Sequence, residues 1–524
     1  MHHLLVCSME SKSPVICVPI CEQRISAAET AIIRAAPLAD LIEIRLDCLD
    51  PLQINGNFRR LDHLFENSPK PTIITYRPAE EGGRCELKME ERLEFWVSGR
   101  SAKTNGFLDI EFDLVRNSLI DSASHPDWNQ VICSYHDFTG APNDLDNLYD
   151  RMAKTPARIL KVAIQADDAI DCLPVFSLLQ RAQADGREMI AIAMGTAGIA
   201  TRILGPSRGA FLTYAALENE SGTAPGQLSA RDLKQVYRIE KIDLQTQVFG
   251  LIGLPVCHSV SPLMHNAAFE ATGINAVYLP FEVRDVGSFM RRMVHPRTRE
   301  LDWNLCGLSV TAPHKSAVMD HLDWIDPAAE GIGAVNTIVV RNDQLQGYNT
   351  DARGLIKPLS QKFGDLRAAR CAIVGAGGAA RAALWGLQQE GAELTVFARD
   401  AGKAEVLAEK FGAASKTLAE ASFDGFDVVL NTTPLGTAGS LEDEMPATAR
   451  QLGGARLVYD LVYNPTETLF LREARKAGCE TLGGLSMLIA QADEQFRLWT
   501  GVDAPEGVMY EAASQLLERS TRAK

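Results

Sequence analysis

The strongest constraint on the fold is a rhythm in the first two-fifths of the chain. Between Pro14 and Ala215 eight short apolar runs recur: Val15–Ile20, Leu41–Leu46, Thr72–Tyr76, Phe107–Phe112, Gln130–Tyr135, Arg158–Ile164, Met189–Met194 and Gly209–Ala215. Charged stretches of helical character separate them, and strand alternating with helix is the pattern of a parallel sheet. Eight βα units in roughly 230 residues predict a closed (β/α)8 barrel rather than an open sheet, ending near Leu233.

A chain of 524 residues exceeds what one ordinary core holds. The polar segment Asp232–Gln247 reads as linker-like or helical, and a new strand, Val248–Gly253, follows it. An α/β unit then runs to about Gly354, a nucleotide-binding unit opens with Cys371–Val374, and a helical stretch follows Leu485. The expected divisions are a barrel at 1–235, a linker at 236–246, a substrate domain at 247–354, a Rossmann-type domain at 355–485, and C-terminal helices at 486–524 returning to the substrate domain.

A formal net charge of -15 disfavours nucleic acid as a partner, since phosphate backbones reward a basic face. Hydrophobic and charged fractions of 46% and 23% are those of ordinary globular enzymes. No stretch approaches the ~20 apolar residues of a membrane span, and with no apolar signal core or Ser/Arg-rich run ahead of Pro14 a signal or transit segment is not expected. Eleven cysteines show no repeated metal-type spacing and are expected mostly as buried reduced thiols, which fits a cytoplasmic enzyme. His258 and His265 near Cys257 lack ligand spacing, so no metal is expected.

In a (β/α)8 barrel the reactive groups sit at the carboxyl ends of the strands. Polar residues gather there: Glu43 and Arg45 on the second strand, Arg77 after the third, Asp109 and Glu111 on the fourth, His136 after the fifth and Lys161 within the sixth. Lys161 interrupts an apolar strand (ILKVAI), where an ammonium is costly to bury and its pKa should fall, as suits a Schiff-base nucleophile. An iminium acidifies the adjacent C–H and permits loss of a β-hydroxyl. His136, in SYHDF, is the strand-end histidine available as general acid/base, with Glu81 placed to orient it.

These residues resemble the type I 3-dehydroquinate dehydratases across roughly 14–230. EIRLD carries Glu43 and Arg45, TYRPAEEGG carries Arg77 and Glu81, SYHDF carries His136 and ILKVA carries Lys161. MGTAGIATRILG carries Met194 and Arg202, and TAPGQLS carries Thr223 and Gln227. The resemblance implies a Schiff base from Lys161 to the substrate ketone, proton abstraction by His136 and loss of water. It also implies that Arg45, Arg77 and Arg202 grip the substrate, with Gln227 closing over it. Thr223 stands where Ser is commoner, and Pro78 stiffens the chain after Arg77.

The second half carries CAIVGAGGAARAALWGLQQEGAELTVFARD. Gly375, Ala376, Gly377, Gly378 and Ala379 follow a strand and open a helix, the context in which a pyrophosphate sits on a helix N-terminus. Where an acidic residue would select NAD, this chain has Ala398 followed by Arg399, with Lys403 a turn further on, which favours a 2'-phosphate and hence NADP(H). Upstream, Ser259 and Ser261 in HSVSP are suited to a carboxylate. Thr311 and Lys315 lie in SVTAPHK, Asn336 in GAVNT and Asp351 in GYNTD, where a Lys and an Asp can move an alcohol proton while hydride passes to or from a nicotinamide.

In this order the motifs resemble shikimate dehydrogenase over 247–518. NTTPLGT (Asn431, Thr432), DLVYNP (Tyr463) and GGLSMLIAQA (Gly484, Gln491) extend the match. The resemblance implies Lys315 and Asp351 as the catalytic pair, and Ser259, Ser261, Thr311, Asn336, Tyr463 and Gln491 around shikimate or 3-dehydroshikimate. Asn431, Thr432 and Gly484 fall with the cofactor. Departures are Ala398-Arg399-Asp400 for a commoner Asn-Arg-Thr, and Ser309 for Asn. Related quinate-specific enzymes tend to carry Gly at the second serine and at Thr311; both hydroxyls are kept here, so shikimate is preferred over a quinate or dual-specific enzyme. A catalytically silent metabolite sensor would predict losses at Lys161, His136, Lys315 or Asp351, and all four are present.

Overall fold

The computed structural model describes residues 13–54, 58–97, 105–119, 126–218, 226–257 and 259–522. Eight parallel strands form the first sheet: β1 (Ile16–Ile20), β2 (Leu41–Arg45), β3 (Thr72–Thr75), β4 (Phe107–Glu111), β5 (Val131–Asp137), β6 (Ile159–Gln165), β7 (Glu188–Met194) and β8 (Thr213–Tyr214). β8 lies beside β1, and the ring is completed by a parallel bridge between Met189 and Ala210, where Phe211 N donates to Met189 O at 2.8 Å. The last strand, expected over Gly209–Ala215, is shorter because a tight turn over Pro206–Arg208 and a left-handed Gly209 (φ 92°) occupy its start.

The strand period of two sorts the barrel. Alternate residues Cys17, Leu41, Ile73, Ile132, Ile159, Ile190 and Leu212 pack together as an apolar floor in the bore. The same alternation, carried toward the strands' carboxyl ends, places Glu43, Arg45, Thr75, Asp109, Glu111, Ser134 and Lys161 on that inner face, above the floor. Intervening residues such as Ile42, Ile44, Ile110, Leu160 and Val162 join the layer packed under the helices.

The expected linker is packed. Helix Ala230–Gln235 and a turn at Ile239–Lys241 bury Tyr237 and Ile239, and Arg238 Nη1 donates to Asn266 O at 2.7 Å in the next unit. That unit holds β9 (Gln247–Gly253), β10 (Ala276–Glu282), β11 (Leu305–Val310), β12 (Trp324–Ile325), β13 (Thr337–Arg341) and β14 (Gln344–Tyr348), in the order β10-β9-β11-β13-β14-β12. The third unit is a parallel sheet of β15 (Arg370–Val374), β16 (Glu393–Ala398), β17 (Ala414–Thr417), β18 (Val428–Asn431), β19 (Leu457–Asp460) and β20 (Glu480–Leu482), ordered β17-β16-β15-β18-β19-β20. Strand order reverses between β15 and β18, where a doubly wound sheet opens its ligand crevice. Helix Asp351–Phe363 packs along helix Leu485–Thr500, and the final helix, Val508–Arg522, returns to helix Ser261–Thr272.

Not all the cysteines are free thiols. Cys21 and Cys48, 27 residues apart, are joined, because the carboxyl ends of adjacent β1 and β2 bring their Cα atoms to 5.2 Å. Among the described residues, Cys17, Cys85, Cys133, Cys172, Cys257, Cys306, Cys371 and Cys479 are thiols outside any disulfide. Among the described residues no helix is long and apolar enough to cross a membrane.

Candidate active sites

At the carboxyl mouth of the barrel, Lys161 is buried on β6 and its Nζ donates to Asp109 Oδ2 at 2.6 Å and to Tyr214 Oη at 3.1 Å, with Glu43 Oε1 at 3.9 Å. The ammonium that stands alone in its apolar strand therefore has carboxylate partners from β4 and β2. Arg77 Nη2 donates to Asp109 Oδ1 at 2.7 Å, while its Nη1 donates to Ser134 Oγ at 2.9 Å and faces Glu111 at 3.6 Å. Burial opposes ionisation of Asp109, but Arg77 and Lys161 outweigh it and hold the carboxyl well below its ordinary range.

His136 Nδ1 lies 3.0 Å from Glu81 Oε2 and 2.9 Å from Arg77 Nη1. Burial, with Arg77 and Lys161 adding to it, holds the imidazole well below its ordinary pKa, so the ring is neutral. Burial lifts Glu81 to about 8 against the pull of Arg77, and lifts Glu111 to about 7. Once ionised, Glu81 draws the ring proton to Nδ1 and leaves Nε2 as the basic lone pair. Arg45 is committed to Asp47 through two bonds of 2.9 and 2.8 Å. Arg202, fully buried, is brought down to about 10 by desolvation. Lys161, His136, Glu43, Arg45, Arg77, Glu81, Arg202, Tyr214, Met194 and Gln227 line one pocket.

In the second unit, Lys315 Nζ donates to Asp351 Oδ2 at 2.5 Å. The other oxygen of Asp351 accepts from Asn336 Nδ2 at 2.8 Å, and Asn336 also ties Thr350 and Thr337, so the pair stands on a fixed amide. Behind it, Gln495 Nε2 donates to Asn336 O at 3.1 Å and its Oε1 accepts from Ser309 Oγ at 2.9 Å. Ser259 Oγ donates to Ser261 Oγ at 3.1 Å at the start of helix Ser261–Thr272. Tyr463, from the loop after β19, packs into the apolar cluster of Val256, Val260 and Met264, which carries that side chain from the third unit to the second.

The third unit's crevice lies at the reversal of strand order. Gly375 leaves β15 at φ 121°, and a side-chain carbon there would meet Thr432 Oγ1 at 2.5 Å, so glycine is needed for the two loops to close together. No atom lies within 4 Å of where a Cβ would stand on Gly377 or Gly378, so the first turn of helix Gly378–Gln389 is open to a ligand. Arg399 and Lys403 are exposed at the end of β16, while Asp400 caps the following helix by accepting from Lys403 N at 3.1 Å.

Residues 16–243 match the family model of type I 3-dehydroquinase, and 251–338 that of the shikimate dehydrogenase substrate binding domain. Residues 358–461 match the shikimate / quinate 5-dehydrogenase model, and 484–513 the shikimate 5'-dehydrogenase C-terminal domain. A bifunctional 3-dehydroquinate dehydratase/shikimate dehydrogenase of Arabidopsis thaliana, chloroplastic, is 35% identical over 533 residues, covering 96% of this chain and 85% of the relative. The chain belongs to the bifunctional 3-dehydroquinate dehydratase/shikimate dehydrogenase family.

Within that family, the shikimate biosynthesis protein AroDE of Chlamydia pneumoniae is 31% identical over 490 residues, covering 93% of this chain and 95% of that one. A crystal structure of a shikimate dehydrogenase in complex with NADP+ superposes at a TM-score of 0.50 with 38% identity, over 53% of this chain and 97% of that one. Among the residues singled out for the two activities, Thr223 lies outside the described residues. The fully buried Asn431 spends its amide on Asp460 Oδ1 at 2.9 Å, and Gln491 donates to Leu488 O of its own helix at 2.8 Å. Thr432 fastens its loop to β15 by donating to Val374 O at 2.7 Å, and Gly484 leads into helix Leu485–Thr500.

Sequence reasoning missed two groups in the barrel site. Asp109 stood out as a strand-end carboxylate without a role, and its two-residue spacing from Glu111 on one strand was the signal that both face the bore. Tyr214 lies in the apolar run Gly209–Ala215 and is not singled out from sequence; its hydroxyl is one of the two oxygen partners that Lys161 meets within 3.1 Å.

Proposed function

We propose that the barrel converts 3-dehydroquinate to 3-dehydroshikimate through a Schiff base on Lys161, and that the second half reduces 3-dehydroshikimate to shikimate with NADPH. The observation that carries the first step is the convergence of a buried lysine and a neutral histidine beside Glu81 on one pocket. Lys161 Nζ, after giving up a proton, attacks the ketone carbon, and water leaves to form the iminium. His136 Nε2 takes the proton from the adjacent carbon; the electron pair forms the new C=C bond and expels the hydroxyl, which departs as water with the proton His136 has just taken, leaving the ring neutral again. Hydrolysis of the iminium returns Lys161. Asp109 remains ionised beside Lys161 throughout and favours the cationic intermediate. Arg45, Arg77 and Arg202 hold carboxylate and hydroxyl groups of the substrate, alongside Glu43, Thr223 and Gln227.

For the second step, the open helix N-terminus at Gly377 and Gly378, the close approach of Gly375 to Thr432, and the exposed Arg399 and Lys403 fit an NADP-type dinucleotide. When bound, NADPH supplies the hydride. Lys315 delivers a proton to the carbonyl oxygen, Asp351 holds its ammonium in place, and Asn336 holds Asp351. Ser259 and Ser261 take the substrate carboxylate, and Thr311, Tyr463 and Gln491 complete its surroundings. We divide the chain accordingly at 1–235, 236–246, 247–354, 355–485 and 486–524.

The test supplies 3-dehydroquinate and NADPH to the purified protein and follows NADPH loss, with and without borohydride added in the presence of substrate. Consumption of NADPH, and loss of the first step with an adduct mapped by mass spectrometry to Lys161, is the expected result. NADPH consumption with 3-dehydroshikimate but not with 3-dehydroquinate would sink the barrel assignment.

A further inference from the structure

The loop after β7 touches both halves of the molecule. Gly195 leaves the strand at φ 86°, and Thr196 begins the turn into helix Ile199–Leu204, which carries Arg202 and lies against β10. On the barrel side, this loop supports the segment that brings in Gln227: a side-chain carbon on Gly226 would stand only 2.0 Å from the Gly195 carbonyl oxygen. On the other side, the Thr196 hydroxyl donates to a carboxylate oxygen of Glu282, the last residue of β10. Glu282 pairs in register with Gly253 at the end of β9, whose Cα faces the Thr311 side chain.

A second fastening lies beside the first. Asp168, buried after β6, accepts the backbone N–H groups of Arg284 at 2.7 Å and Asp285 at 3.1 Å with one oxygen, and Ile170 N at 3.1 Å with the other. Arg284 Nε donates in turn to Asp167 O at 2.7 Å. Loops at a barrel mouth ordinarily run through solvent and are the mobile part of the fold. Here the loops after β6 and β7 are tied by several part-buried polar bonds to the carboxyl end of β10, so their position depends on the neighbouring unit.

We propose that Glu282, a residue of the dehydrogenase half, is a positioning residue for the dehydratase: through Thr196 it fixes the Gly195–Gly226 contact, and with it Gln227 and Arg202 around the bound 3-dehydroquinate. The proposal rests on the reading of Gln227 and Arg202 as substrate-binding. Lys161 and His136 stand on β6 and β5 and take their positions from Asp109 and Glu81, so the link acts on substrate grip and leaves the chemical step alone.

The experiment compares dehydratase kcat and KM in the full-length protein for Glu282→Ala, Thr196→Val and the two combined. Each single variant is expected to raise KM about tenfold with kcat within about twofold, and the double variant to match the singles rather than multiply them, because both remove one bond. Thr196→Ser and Glu282→Gln, which keep the donor and an acceptor, hold KM near native and serve where a harsher variant folds poorly. Dehydrogenase kcat in Thr196→Val stays unchanged. An unaltered KM in folded Glu282→Ala and Thr196→Val, or effects that multiply, would overturn the proposal. Gln227→Ala separates the premise from the inference: if it too leaves KM unaltered, the substrate-binding reading of Gln227 fails first, whereas a raised KM there beside silent Glu282 and Thr196 variants rejects the positioning role alone.

Discussion

The two active sites of this chain handle charge in opposite ways. In the barrel, Glu43, Arg77, Asp109, Glu111 and Lys161 are each no more than 5% exposed and are paired among themselves above the apolar floor of the bore. In the dehydrogenase half, one pair, Lys315 and Asp351, sits nearer solvent, with its side chains 26% and 10% exposed. Burying an ion costs several kcal/mol before its partners offset the loss. The contrast follows from where the chemistry comes from. On the proposed mechanism, side chains alone must stabilise a cationic covalent intermediate in the barrel, so the groups that do so are dry and paired; the dehydrogenase takes its hydride from a dinucleotide and would need from the protein one proton relay and a grip on the substrate.

The sharpest way to break this comparison is to remove the proposed nucleophile. Lys161→Ala is expected to take dehydratase turnover to background while leaving reduction of 3-dehydroshikimate unchanged, measured separately on the same preparation. Residual turnover well above background would mean that the buried network, and not the covalent intermediate, carries the step. Next in size is Asp351→Asn, expected to lower dehydrogenase kcat about 10²–10³-fold with the dehydratase untouched. A rise in KM alone would reassign Asp351 to binding.

The burial difference also has a pH signature. His136 is held below its ordinary value of 6.5, so its basic form persists into more acid solution and the acid limb of dehydratase kcat/KM should fall below that pH. As pH rises through about 8, Glu81 loses its proton and becomes the acceptor for His136 Nδ1–H, so kcat/KM should climb there. Glu81→Gln is expected to erase that climb and lower kcat about tenfold. A profile with the same climb in the variant would show that another group titrates.

How far each site could be read from sequence follows the same division. The barrel charges were legible because a period of two leaves no ambiguity about which residues of a strand share the bore, and Lys161 in ILKVAI is conspicuous for that reason. Their pairing was not, since which carboxylate meets Lys161 depends on the stagger of neighbouring strands. The dinucleotide crevice was legible because its glycines, helix and strand are contiguous. The Cys21–Cys48 bond joins the ends of neighbouring strands within the barrel, while the packed segment around Tyr237 and the Thr196–Glu282 contact, 86 residues apart in the chain, join elements that become neighbours only when units dock. Nothing local in the sequence distinguishes Thr196 or Glu282 from an ordinary surface residue.

The smallest expected effect lies at the most exposed groups. Arg399 and Lys403 sit in water at the end of β16, and Asp400 between them is already used as a helix cap, with its carboxylate 3.7 Å from Lys403 Nζ. Exposed charges in this setting contribute less than buried ones because solvent and salt screen them. Arg399→Ser is therefore expected to raise KM for NADPH about tenfold, with little change in kcat or in KM for NADH, and the difference should shrink as salt is added. Equal loss toward both dinucleotides would place Arg399 on the shared part of the cofactor instead of the 2'-phosphate. Dehydratase kinetics in the same variant should be unchanged, because the patch lies in the third unit and belongs to the site that takes its reactive group from solution.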